Sequence, residues 1–135
     1  EKSIQLEASL NPEAPLVYGD IALMQRVLEN LLENGLRHTP AGGSISIGVD
    51  VDSGNVVVQV ADTGCGIPAE DVPRIFERFY QHDKHRSGNS SSGLGLAIVK
   101  RILELHGSII NVRSELEKGT TFSFRIPAGP IVINS

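Results

Sequence analysis

The apolar run Val56-Val57-Val58-Gln59-Val60-Ala61 constrains this chain most. Rich in β-branched residues and broken by a single polar side chain, it predicts a buried strand. The run stops abruptly at Asp62-Thr63-Gly64-Cys65-Gly66-Ile67-Pro68. A strand end is a rigid mount for a carboxylate, and ionised Asp62 can only accept hydrogen bonds, so a ring's exocyclic amine is a fitting partner. Gly64 and Gly66 let backbone approach a ligand closely and adopt positive φ, and Pro68 suits the first turn of a helix. Asp-Thr-Gly is also ordinary turn chemistry; what favours a site is the rest of the chain.

Ile4 to Leu10 alternates apolar and polar residues, the pattern of a half-buried strand. Asn11 to Pro15 breaks it, and Leu16-Val17-Tyr18 reads as a short second strand. Asp20 is the candidate N-cap of a long helix in which Met24, Val27, Leu28, Leu31, Leu32 and Gly35 recur at helical spacing until Thr39-Pro40. Asn30, Asn34 and Arg37 share one flank of that stripe. Asparagine is a weak helix former, so the pair is explained either by solvent and neighbouring loops or by a ligand. Amide oxygens suit Mg²⁺ shared with phosphates, and Arg37 would reach a phosphate as a charged donor. His38 reads as a packing or hydrogen-bonding residue.

Ser44 to Val51 predicts an amphipathic strand joined by the hairpin turn Asp52-Ser53-Gly54-Asn55 to the Val56 strand. Pro68 to Phe76 predicts a helix, followed by the aromatic cluster Phe76, Phe79 and Tyr80. Gln81 to Ser92 contains no apolar residue and reads either as a solvated linker or as a lid, with Lys84 and Arg86 as its cations. Gly93-Leu94-Gly95-Leu96 opens a second long helix whose free N–H groups suit an anion, and Gly107 ends it. Ile109 to Val112 and Thr121 to Ile126 are the last predicted strands, around a turn at Glu117-Lys118-Gly119.

With 135 residues the chain is one domain with room for a real core. A net charge of −4 argues against general nucleic-acid binding. The lone cysteine, Cys65, excludes an internal disulfide and a Cys-rich zinc site and fits a reducing, cytoplasmic setting. No apolar run approaches membrane-spanning length. Without a methionine at Glu1, the chain reads as a piece of something longer.

The order of these segments resembles the catalytic ATP-binding domain of two-component sensor histidine kinases, within the gyrase, heat-shock chaperone, histidine kinase and mismatch-repair ATPase superfamily. Val27 to Pro40, carrying Asn30 and Asn34, is similar to the N box; Asp62 to Pro68 and Gly93 to Ile98 resemble the first two glycine boxes; Phe76 to Tyr80 the F box; Gly119 to Phe122 the third glycine box. The resemblance implies an α/β (α+β) two-layer sandwich of the Bergerat-type ATP-binding fold, a mixed sheet of about five strands packed on three helices. It implies a domain over residues 1–127 with a flexible lid at about 81–92, and a tail at 128–135. Asp62 would hold the adenine amine and Asn34 the Mg²⁺, with Asn30 beside the phosphates and Arg37 in place of a phosphate-contacting lysine. Asn34 and Arg37 are thus the candidate catalytic residues. Gly64, Gly66, Ile67, Phe79, Tyr80, Gly93, Leu94, Gly95, Leu96 and Thr120 complete the implied ATP site.

Several residues depart from the pattern. Gly35 replaces a frequent alanine, a change expected to matter little; Gln81 replaces an arginine, leaving Arg78, Lys84 or Arg86 as substitutes; Ser90-Ser91-Ser92 replaces a glycine-rich lead. Asn30 stands where related ATPases carry a water-activating glutamate, and it cannot act as a base, so slow hydrolysis is expected. None of His38, His82, His85 and His106 lies in a phosphoacceptor motif. The resemblance therefore implies a protein-histidine kinase domain that needs the histidine of a separate dimerisation and phosphotransfer domain, with a response regulator downstream. It implies a monomeric fragment of a homodimeric parent and a cytosolic location, whether or not that parent is membrane-anchored. Other readings are a nucleotide-gated module of degenerate-kinase type, a protein serine kinase of anti-sigma-factor type, and a gyrase- or chaperone-like clamp.

Overall fold

A computed structural model describes residues 4–10, 21–78 and 95–127. The expected strand at Leu16 to Tyr18, the Asp20 cap, Phe79, Tyr80, the lid at 81–92, Gly93, Leu94 and the tail at 128–135 lie outside the described residues. The elements, in order, are β1 (Gln5–Leu10), α1 (Ile21–His38), β2 (Ser44–Asp52), β3 (Asn55–Asp62), a 3-10 helix (Ala69–Arg74), α2 (Gly95–Leu105), β4 (Asn111–Glu115) and β5 (Gly119–Pro127). They form the expected two-layer sandwich, with a five-stranded sheet in the order β1-β2-β3-β5-β4. The sheet is mixed, because β1 runs parallel to β2 while the other pairs are antiparallel.

Alternation along β3 decides which face is covered. Val56, Val58, Val60 and Asp62 are buried, whereas Val57 and Gln59 fall on the other face. On the buried side, Phe122, Phe124 and Ile126 of β5 and Ile45 of β2 meet Val27 and Leu31 of α1 and Val99, Ile102 and Leu103 of α2. Burying each such side chain is worth about 1.5–3 kcal/mol, so this layer is what holds both helices to the sheet. On the open side, Asp50, Val57, Gln59 and Arg125 line a shallow groove of about 520 Å³. That groove lies on the opposite face from the Asp62 carboxylate.

The β2–β3 hairpin is as predicted: Asp52 pairs with Asn55, and the two loop residues, Ser53 (φ 54°) and Gly54 (φ 82°), both have the positive φ of a type I′ turn. Two boundaries differ from expectation. Pro68 precedes its helix instead of entering it, and the segment is 3-10 over Ala69–Arg74 with Pro73 inside it. Pro73 lacks an N–H and its ring crowds the preceding turn, which prevents a regular α ladder. The predicted strand at Ile109 to Val112 begins only at Asn111, and Ile109 is 76 % exposed. The cause is the end of α2. Ser108 N–H bonds to the Leu103 carbonyl and Gly107 N–H to that of Glu104, with Gly107 at φ 72°, the pairing of a Schellman motif. Ser108 Oγ then donates to the Arg125 carbonyl at 2.6 Å, and the chain joins the sheet only beyond that anchor.

Candidate functional site

Asp62 is the last residue of β3 and is 9 % exposed. Its Oδ1 accepts the Gly64 N–H at 2.8 Å. Burial pushes its carboxyl above the ordinary aspartate value, partly offset by the N–H groups of Gly64 and Thr120. The carboxylate is therefore desolvated and backed by backbone donors, a suitable acceptor for a neutral N–H group.

Helix α1 lies over this strand end. A Cβ on Gly35 would sit 3.2 Å from Ile45 Cδ1 and 3.7 Å from Asp62 Cβ, so the helix passes close to the sheet at Gly35. Its neighbour Asn34 is 7 % exposed and accepts a long hydrogen bond, 3.5 Å, from Arg37 Nη2. One turn earlier, Asn30 approaches the first residue of α2, since a Cβ on Gly95 would lie 3.9 Å from Asn30 Cγ. Asn30 Nδ2 is buried and has no hydrogen-bond partner among the described residues, a donor left for something else. The structure thus brings Asn30, Asn34, Arg37, Asp62 and Gly95 to the helix-facing side of the sheet near the end of β3.

Gly64 and Gly66 are also required by the fold itself. Positive φ occurs at Gly66 (78°) and not at Gly64, and the close approaches are to protein backbone. A Cβ on Gly64 would overlap the His38 carbonyl oxygen, and one on Gly66 would overlap that of Glu115. The loop is wedged between the end of α1 and the β4–β5 turn: Cys65 N–H caps the His38 carbonyl at 3.2 Å, and Glu117 N–H donates to the Cys65 carbonyl at 2.8 Å. His38 accordingly acts as a hydrogen-bonding helix end, and no group of three or more His, Cys, Asp or Glu able to hold a metal occurs among the described residues.

Thr120 pairs directly with Asp62 across β5 and β3 and is 5 % exposed. Ile67 and Leu96 pack at the edge of the core. Phe76 stacks edge-on against Phe122, with ring centroids 6.2 Å apart, which makes it a core residue. One participant escaped sequence reasoning. Ser114 Oγ accepts the Ile67 N–H at 2.8 Å, lies 2.8 Å from Thr120 Oγ1 and donates to the Gly119 carbonyl at 3.1 Å. The signal for it was a polar residue two positions after Val112, on the inward side of a strand that continues to Glu115.

Among the described residues no helix is long and apolar enough to cross a membrane. Residues 19–130 match the family described as histidine kinase-, DNA gyrase B-, and HSP90-like ATPase. The sensor protein SrrB of Staphylococcus aureus is 43 % identical over 109 residues, which cover 80 % of this chain and 19 % of that protein. The chain thus spans about a fifth of the length of the curated relatives it matches. Among solved structures, the mycobacterial sensor histidine kinase MprB superposes with a TM-score of 0.82 at 32 % identity, over 95 % of this chain and 86 % of that one. The nucleotide-free catalytic domain of histidine kinase ThkA gives 0.78 at 30 % identity, over 92 % and 78 %. Full-length ShkA in complex with AMPPNP gives 0.81 at 30 %, over 93 % and 26 %. The chain belongs to the histidine kinase-, DNA gyrase B-, and HSP90-like ATPase family, and within it to the catalytic ATP-binding domains of sensor histidine kinases.

Proposed function

We propose that this domain binds Mg-ATP at the end of β3 and positions the γ-phosphoryl group for transfer to a histidine on a separate dimerisation domain, from which a response-regulator aspartate receives it. The observation that carries this reading is the buried Asp62 carboxylate, held by Gly64 N–H and overlain by α1 at Gly35. Asp62 accepts from the adenine amine, and Thr120 lies beside the base. The unpartnered Asn30 Nδ2 suits a phosphate oxygen. Asn34 already turns its amide oxygen to a cationic group, the Arg37 guanidinium, so the donor set fits Mg²⁺, with Arg37 moving to the phosphates. The metal supplies charge neutralisation there; the chain's own contribution is orientation. Gly95 belongs at the phosphates, and the family resemblance assigns Gly93, Leu94, Phe79 and Tyr80, which lie outside the described residues, to the same ATP site. ShkA, solved with AMPPNP, supports a nucleotide in this fold.

A side-chain amide at Asn30 accepts no proton from water, so the domain holds the phosphoryl group for an external nucleophile and hydrolyses ATP slowly. On this reading the domain is the catalytic half of a homodimeric kinase and works on the cytosolic side. Calorimetric titration with Mg-ATP tests the reading: Asp62→Ala is expected to weaken binding about ten- to a hundredfold, the loss of a hydrogen bond to a charged group of roughly 1.5–3 kcal/mol. Mixing with the parent's dimerisation domain is expected to yield acid-labile phosphate. Acid-stable phosphate would instead support a serine kinase, and binding with no transfer a degenerate module.

A further inference from the structure

The loop that follows Asp62 is held in two ways. Thr63 N–H donates to the Ser44 carbonyl at 3.0 Å and Cys65 N–H to that of His38 at 3.2 Å. Gly64 and Ile67 instead donate to side chains, Gly64 to Asp62 Oδ1 and Ile67 to Ser114 Oγ, both at 2.8 Å. Backbone acceptors survive a substitution, whereas these two do not. Ser114 Oγ also lies 2.8 Å from Thr120 Oγ1, and Thr120 supplies, with Gly64, the N–H groups that hold the Asp62 carboxylate. One hydroxyl thus ties together the two segments whose donors orient Asp62: the loop at its far end, and β5 at its second residue.

Resting on the nucleotide reading above, we propose that Ser114 is a positioning residue for Asp62: by pinning Ile67 and Thr120 it keeps the Gly64 and Thr120 N–H groups, and with them the carboxylate, in place before a ligand arrives. It acts through these two segments and not by a contact of its own with the nucleotide. A loop left for the ligand to order lowers the affinity by the free energy of that ordering. Here the brace is preset from β4, since Ser114 fixes Ile67 while Gly66 packs close against the Glu115 carbonyl. An edge strand of the sheet, with none of the expected site residues on it, thereby serves the site.

The test is a double-mutant cycle on the 135-residue chain, with Mg-ATP affinity read by calorimetry on folded protein. In the wild-type background Ser114→Ala is expected to weaken binding about three- to tenfold, the worth of one neutral hydrogen bond. In the Asp62→Ala background the same substitution is expected to weaken it by under about twofold, because the residue it acts through is gone. Ser114→Thr, which keeps the hydroxyl, is expected to bind like the wild type. Amide hydrogen exchange without nucleotide gives a second readout: Ser114→Ala is expected to speed exchange at Gly64 as well as at Ile67. Equal fold losses in both backgrounds, unchanged affinity in Ser114→Ala, a Ser114→Thr loss as large as that of alanine, or faster exchange at Ile67 alone would each overturn the proposal and leave the nucleotide reading standing. Should Ser114→Ala unfold, as its melting curve would show, Ser114→Cys, of similar size but a weak acceptor, goes through the same cycle and is judged by the same outcomes. A wild type that binds no Mg-ATP up to millimolar concentration overturns the nucleotide reading, and the proposal with it.

Discussion

Asp62 shows how a buried carboxylate burdens a fold. Its carboxyl is pushed above the ordinary aspartate value by burial, with Gly64 and Thr120 N–H groups only partly compensating. A raised folded value means that the stability linked to this group is fully present below the unfolded value, near 3.8, and is lost as pH rises through the folded one. The stability of the wild type minus that of Asp62→Asn, from denaturant unfolding without nucleotide, should therefore decline as pH rises through the range just above 3.8. A flat or rising difference would mean that the backbone donors outweigh burial. Asp52 is the opposite case. Fully exposed, it is held below its usual value by hydrogen bonds from Arg125, at 2.7 Å, and Ser53, so the stability it contributes is present at neutral pH and lost as pH falls through its lowered value. Both aspartates were visible in the sequence, one ending a strand and one opening a turn. Only the sheet pairing revealed that Arg125 reaches Asp52 across the intervening strand, because that depends on strand order, which no local pattern encodes.

Element boundaries were legible wherever one local force decided them. The 3.6-residue stripe of α1 and the Ser53-Gly54 turn came through unchanged, since helical spacing and positive φ are written in the residues that need them. The late start of β4 did not, because it follows from Ser108 anchoring to β5; the 3-10 form of Ala69–Arg74 was written locally in Pro73 and was overlooked. The packing need for Gly64 and Gly66 was hidden because the backbones they touch belong to α1 and β4, remote in sequence. Two substitutions separate these kinds of glycine. Gly107→Ala forces a side chain into the left-handed region at the end of α2 and should destabilise the domain by roughly 1–2 kcal/mol. Gly35→Ala gains up to about 1 kcal/mol of helix propensity against one 3.2 Å contact with Cδ1 of Ile45, a terminal methyl that needs to shift only slightly. A net stabilisation of about 0.5 kcal/mol is expected, measured as a higher urea midpoint with an unchanged slope. This agrees with the expectation that alanine and glycine are nearly interchangeable there.

At the scale of the whole molecule, the proposed site is a seam where the sheet meets the helices. Gly35 of α1 and Gly119 at the start of β5 approach Asp62 at the end of β3, and α2 joins α1 beside it through the contact of Gly95 with Asn30. Asn30 reaches Gly95, and its amide nitrogen has no partner among the described residues, so on the proposed reading it is left for the phosphates. A nucleotide bound to the folded state alone stabilises it by mass action, about 2.7 kcal/mol at a concentration one hundred times the dissociation constant. For a domain of this size each kcal/mol raises the melting temperature by roughly 3–4 °C, so saturating Mg-ATP should raise it by about 10 °C. At the same ATP concentration, Asp62→Ala, with affinity reduced ten- to a hundredfold, should keep only about half of that shift or less. Asn30→Ala carries a second expectation. If Asn30 Nδ2 serves the phosphates, its removal should cut the shift given by ATP while leaving that given by adenosine unchanged. Equal loss with both ligands would place Asn30 in the packing between the helices and remove it from the site.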